Sequence, residues 1–143
     1  MFSPFTQIFS DKNYAIIEKA AKKIASEDQK FQRLVLTKEE ALELFKANPF
    51  KLSTISGKIK DGKSVTAYKC GDLIDLCTGP HIPSTKLIKG FKVMRNSAAY
   101  WLGKATNDSL QRVYAISFPS QKELDQYIEF RKEAERRDHR LIG

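Results

Sequence analysis

Between Lys51 and Phe118 the sequence runs through five short β-like segments with no helical period separating them: Lys51–Ile55, Val65–Lys69, Leu73–Leu76, Phe91–Arg95 and Leu110–Phe118. Strands that follow one another without βαβ alternation predict a mostly antiparallel sheet. Lys60-Asp61-Gly62-Lys63 reads as a hairpin turn between the first two. Helical spacing flanks this run. Ser10 and Asp11 offer caps for a helix to about Glu27, with Ile17, Ala20, Ala21 and Ile24 on one face. Phe31–Leu36 alternates as a strand. Thr37 with Glu40 is a capping box for a short helix anchored by Leu42, Leu44 and Phe45 and ended by Asn48-Pro49. Ser120 with Glu123 repeats the box and opens a long C-terminal helix, whose apolar stripe is Leu124, Tyr127, Ile128 and Ala134. The expected fold class is α+β, a mostly antiparallel sheet packed with helices and followed by that long helix.

Beyond Glu133 the stripe gives way to charge. A helix that loses its apolar face leaves its domain or meets another, so the expected boundary falls between 1–119 and 120–143. With 143 residues the chain is long enough for one domain with a sizeable core. No run of eighteen apolar residues is present to span a membrane, and the first residues do not read as a signal peptide. Cys70 and Cys77 are too few for a disulfide scaffold and fit a reducing compartment.

The net charge of +8 is unevenly placed. Residues 121–143 balance six basic against six acidic side chains. From Leu76 to Asn107 there is no acid, yet Lys86, Lys89, Lys92, Arg95 and Lys104 stand beside Phe91, Tyr100 and Trp101. A basic, acid-free stretch with aromatics suits a polyanion.

The segment Asp72–Pro83, DLIDLCTGPHIP, carries the most chemistry. Side chains alternate along a strand, so Asp75 and Cys77 share a face, and Gly79-Pro80 turns the backbone so that His81 can return toward them. Three readings fit. Cys77 and His81 are two ligands of a zinc site, or a nucleophilic dyad, or a structural thiol and a turn histidine. A zinc site needs three or four protein ligands. The chain has two cysteines and two histidines; His139 lies in the charged tail and Cys70 stands at an odd offset, so the chain alone does not complete one. Lys51 is either a solvent-facing lysine or a phosphate or carbonyl contact in a cleft.

The motifs DLC-x-GPH, AYW-x-G, LQR-x-Y and RDHR-x-IG, in this order, closely resemble threonyl-tRNA synthetases of the bacterial and eukaryotic type over roughly Phe31–Gly143. The resemblance is to the editing domain, called the second additional domain, and to the helix leading into the aminoacylation domain. It implies an HxxxH pair and a CxxxH pair acting together. The second pair maps onto Cys77 and His81, with further roles at Asp75 and Lys51. No HxxxH occurs in these 143 residues, so that half is expected to precede Met1. Thr78 departs from the family pattern, where many relatives have arginine. The resemblance implies that this piece belongs to a domain hydrolysing mischarged Ser-tRNA(Thr), within an enzyme that ligates threonine to tRNA(Thr) using ATP. It implies a possible zinc at the complete editing site, and ATP and zinc in a catalytic core outside this chain. Its implied partners are the tRNA(Thr) acceptor end, met by Lys86, Lys89, Lys92 and Arg95, and the rest of the synthetase, a homodimer through that core. A cytoplasmic location is expected, and the piece alone is expected to be inactive. A free-standing trans-editing hydrolase of the alanyl type and a non-catalytic RNA-binding module are the competing expectations.

Overall fold

The computed structural model describes residues 10–142. In chain order its elements are α1 (Tyr14–Ser26), β1 (Phe31–Thr37), α2 (Lys38–Leu44), α3 (Pro49–Lys58), β2 (Ser64–Cys70), β3 (Leu73–Leu76), β4 (Gly90–Tyr100), β5 (Ser109–Phe118) and α4 (Gln121–Ile142). The expected α+β class holds, with every strand pair antiparallel. The described chain forms two compact units, residues 28–85 and residues 10–27 with 86–142.

In the first unit β1, β2 and β3 form a three-stranded sheet in that order. Alternation puts Leu34, Leu36, Val65, Ala67, Ile74 and Leu76 on one face, and α2 and α3 cover it. Ala41 and Ile55 are fully buried there and Phe45 nearly so, with Leu36, Leu42, Ile59, Val65, Ile74 and Leu76 packed around them. The Thr37 box forms as expected: the Glu40 N–H donates to Thr37 Oγ1 (3.1 Å) and the Thr37 N–H to Glu40 Oε1 (3.3 Å). Of the expected anchors, Leu44 is exposed, and Ala41 takes its place beside Phe45.

The expected strand at Lys51–Ile55 is instead part of α3. Asn48-Pro49 does not merely stop α2; it starts the next helix. The Asn48 side chain accepts the N–H groups of Phe50 (3.1 Å) and Lys51 (3.2 Å), and Pro49 occupies the first helical position, where a missing N–H costs nothing. The Lys60–Lys63 turn forms, with Lys63 N–H on Lys60 C=O at 3.1 Å. It joins α3 to β2 rather than closing a hairpin.

In the second unit β4 and β5 make an antiparallel ribbon from Gly90↔Phe118 to Tyr100↔Ser109, with an irregularity between Val93 and Arg95. Helix α1 is tied to β4 by the Glu18 carboxylate, which accepts the Val93 N–H (3.0 Å), and by the Tyr14 hydroxyl, which donates to Asn96 Oδ1 (2.6 Å). Of its expected inner face, Ile17 and Ala21 are half-buried while Ala20 and Ile24 are exposed. The Ser120 box opens α4: the Glu123 N–H donates to Ser120 Oγ (3.2 Å), which donates to Glu123 Oε2 (2.7 Å). Leu124 is buried against Gly90, where a Cβ would crowd it, and Tyr127 meets Phe118 at 5.4 Å. No described helix is long and apolar enough to cross a membrane.

Candidate active site on the open face of the small sheet

Because α2 and α3 cover one face of the β1–β2–β3 sheet, alternation sends Phe31, Arg33, Thr66, Tyr68, Cys70 and Asp75 to the other. Register makes Arg33, Tyr68 and Asp75 direct neighbours across the three strands. Lys51, on α3 at the covered side of the sheet, reaches the end of this row. The Asn48 cap places it in the first turn of α3, and its Nζ forms an ion pair and hydrogen bond with Asp75 Oδ1 on edge strand β3. The same oxygen accepts the Leu76 N–H at 2.8 Å. Both partners stay substantially exposed, so the pair adds only about 0–1 kcal/mol of stability. What it fixes is the position of an ammonium beside a carboxylate.

Cys77 continues the ladder past β3, its N–H donating to Thr66 C=O at 3.1 Å. The backbone then turns sharply. Gly79 takes a φ of +74°, its N–H donates to Cys77 Sγ (3.3 Å), and the Gly79–Pro80 peptide is cis. The turn brings His81 onto Tyr68: the two rings stack with centroids 4.0 Å apart and planes 8° from parallel. Phe31 meets the imidazole at 5.2 Å, tilted by 58°. The exit of the segment is pinned to the start of β1. Phe31 N–H donates to Pro83 C=O (3.0 Å), Thr85 N–H to Gln29 C=O (2.9 Å), Gln29 N–H to Thr85 Oγ1 (2.9 Å), and Ser84 Oγ to Asp28. Ser84 and Thr85 are buried. Both ends of the His81 loop are thus held by the sheet.

Cys70 takes no part in this group. Its partner on β3 is Leu73, whereas Cys77 bonds opposite Thr66, four residues back along β2. At about 3.3 Å per residue this separates the two by roughly 13 Å along the strand. Burial raises the Cys70 thiol pKa, and its Sγ donates to Gln29 Oε1 at 3.5 Å. Among the described residues no group of three or more His, Cys, Asp or Glu side chains is placed to hold a metal ion. Cys77 and His81 alone do not make a zinc site.

The second unit, taken by itself, interleaves basic residues with aromatics. Lys86 lies in the short turn Thr85–Leu87, and Lys89 precedes β4, its N–H on Phe118 C=O at 3.1 Å. Lys92 is half-buried on β4. Arg95 stands over the Tyr114 ring, 3.9 Å from its centroid. Arg112, paired with Ser97 on the same face of the ribbon, hydrogen-bonds the Tyr114 hydroxyl, as does Ser97. Together with the positive charge of Arg112 and Arg95, these bonds lower the Tyr114 pKa. Among the described residues no carboxylate forms an ion pair with Arg95 or Arg112.

Sequence reasoning placed Lys51, Asp75, Cys77 and His81 in one region but missed Tyr68 and Phe31, which hold the histidine, and Arg112 and Tyr114, which extend the basic surface. The register of β2 on β3 was the available signal for Tyr68, since it sets that ring directly beside Asp75.

Residues 65–114 match the family model "Threonyl and Alanyl tRNA synthetase second additional domain", which takes in Asp75, Cys77, His81 and the basic residues from Lys86 to Arg95. The chain is 50% identical over 137 residues to the probable cytoplasmic threonine–tRNA ligase 1 of Dictyostelium discoideum, covering 96% of this chain and 19% of the relative. It is 50% identical over 134 residues to the cytoplasmic threonine–tRNA ligase of Saccharomyces cerevisiae, 94% of this chain and 18% of that protein. It is 42% identical over 137 residues to the threonine–tRNA ligase of Caldanaerobacter subterraneus, 94% and 21%. A mitochondrial threonine–tRNA ligase of Arabidopsis thaliana is also 50% identical, over 134 residues. The chain spans about a fifth of the length of the curated relatives it matches. Over 94–96% of its own length the chain is therefore homologous to threonine–tRNA ligases, in a stretch that includes the second additional domain.

Proposed function

We propose that the open face of the β1–β2–β3 sheet supplies half of an editing site that hydrolyses Ser-tRNA(Thr), in a protein that ligates threonine to tRNA(Thr) with ATP. The observation that carries this reading is the sheet face shared by Asp75, Cys77 and Tyr68, with Lys51 paired to Asp75 and His81 stacked on Tyr68, in a chain half identical to threonine–tRNA ligases.

The need for such a site is physical. Serine lacks one methyl group of threonine, and a missing methylene discriminates by only about 1–3 kcal/mol. A second site must then remove the wrong product. The reaction is attack of water on the seryl ester carbonyl, with cleavage of the bond to the terminal ribose oxygen, which leaves protonated. His81 positions the water or takes its proton. The Lys51 ammonium, held by Asp75, faces the ester carbonyl or the ribose and stabilises charge developing there. Asp75 orients the substrate, and Cys77 lines the pocket. Residues of an HxxxH pair from outside this chain complete the site. If that site binds zinc, Cys77 and His81 contribute two of the ligands. Lys86, Lys89, Lys92 and Arg95 meet acceptor-stem phosphates, and residues 120–143 link 1–119 to an aminoacylation domain through which the enzyme dimerises. The enzyme is placed in the cytoplasm.

The test is a chimera in which this chain replaces the matching stretch of the Saccharomyces cerevisiae enzyme. Alanine at His81 or Lys51 is expected to abolish most Ser-tRNA(Thr) deacylation while threonylation persists. Unchanged deacylation by either variant removes that residue from the mechanism; unchanged deacylation by both overturns the reading.

A further inference from the structure

We infer that Tyr68 is a positioning residue for His81, its ring acting as the platform that fixes the imidazole and the turn delivering it. The inference rests on the editing reading for what His81 does, but the platform itself stands on geometry.

Tyr68 sits on β2, the central strand, paired to Arg33 on one side and Asp75 on the other. A side chain on a doubly paired strand has a rigid base and only two soft torsions. His81 has neither advantage. It lies on an exposed segment, outside any helix or strand, and unaided would sample several rotamers. Two contacts with Tyr68 restrict it. The first is the near-parallel stack at 4.0 Å, which sets the plane of the imidazole. The second lies two residues earlier. The backbone of Gly79 runs so close to the phenol that a Cβ there would overlap the Tyr68 hydroxyl and its ring carbons. The turn therefore rests on the tip of the same ring whose face receives the histidine. Phe31 from β1 bounds the imidazole on another side. A general base or water-positioning group works only within hydrogen-bond reach of its target, and a small misplacement costs up to about 100-fold in rate. Tyr68 supplies that placement through its ring, so phenylalanine should serve in its place and an aliphatic side chain should not.

Two measurements test this. The first is proton NMR of the chain itself. It has only two histidines, His81 and His139, so a His139→Gln variant assigns both ring signals. The His81 ring protons are expected upfield of those of His139, shielded by the stacked phenol. The shift should persist in Tyr68→Phe and vanish in Tyr68→Leu, with Tyr68→Val as a second aliphatic variant should leucine disturb the sheet. The second is Ser-tRNA(Thr) hydrolysis by the chimera. Tyr68→Leu is expected to lower kcat roughly 10- to 100-fold with KM and threonylation nearly unchanged, and Tyr68→Phe to restore most of the loss. An unshielded His81 in the wild-type chain, or a shift that survives both aliphatic variants, overturns the platform. Equal loss in Phe and Leu variants would mean that the hydroxyl acts, and overturns it as well. A shielded His81 whose alanine variant still hydrolyses Ser-tRNA overturns the editing role while leaving the stack in place.

Discussion

Asp75 and Lys51 are exposed enough that their pairing contributes little to folding, which makes them clean probes of chemistry. Lys51→Met in the chimera is expected to lower the rate of Ser-tRNA(Thr) hydrolysis by about 10²–10³-fold, the usual loss when a charge-stabilising donor is removed. The melting temperature of the isolated chain should barely move. Asp75→Asn frees the Lys51 ammonium and should give a smaller loss in the same assay. Gly79→Ala should behave in the opposite way, unfolding the chain at lower denaturant, because φ is positive and the new Cβ meets Tyr68. Tyr114 is the residue whose titration is most informative. Its pKa is lowered, first by the hydrogen bond from Arg112. A depressed acid stabilises the folded state above its unfolded pKa and loses that contribution as pH falls through the folded value. Stability therefore gains from Tyr114 only at alkaline pH. Phenolate absorbance should show one tyrosine ionising early, and Arg112→Gln should move it back toward the ordinary value.

At the scale of elements, most of the fold could be read from periodicity. The alternation of β1, β2, β3, β4 and β5 and the two Ser/Thr–Glu boxes all appear where their residues indicate. Helix α3 could not be read this way. Its interior, KLSTIS, is rich in β-branched and small residues, and its start was hidden in an Asn-Pro pair that reads equally as a stop. The helix forms because the Asn48 cap satisfies two orphan N–H groups and because Ile55 is fully buried on the sheet, so packing outweighs propensity. Asn48→Ala should cost about 0.5–2 kcal/mol and Ile55→Ala about 2–5 kcal/mol, both by urea titration. The site divides along the same line. Asp75, Cys77 and His81 were legible because they are close in sequence. Tyr68 was not, since its role depends on a strand register and a returning loop. Lys51 could be read from its residues only as a solvent-facing lysine or a cleft contact, the family resemblance implied its role, and its partner came only with the structure.

For the molecule as a whole, the basic residues of the acid-free stretch gather on the second unit. Arg112, which shares Tyr114 with Arg95, adds to the basic residues of the acid-free run from Leu76 to Asn107. Charge reversal at Arg95 or Arg112 should weaken binding of an acceptor-stem RNA, and each should reduce the slope of log K against log salt by about one. Filter binding at several salt concentrations checks this, and an unchanged slope would assign the patch to solvent. Gln29 and Thr85, where the polypeptide enters and leaves the first unit, are hydrogen-bonded to each other in both directions. Residues 28–85 are therefore a closed loop of chain, spliced between α1 and β4, whose two ends meet. Such a stretch is expected to fold when cut out with its ends joined by a minimal linker, carrying Lys51, Tyr68, Asp75, Cys77 and His81 together as one portable cassette; a cooperative urea transition of the excised piece checks this.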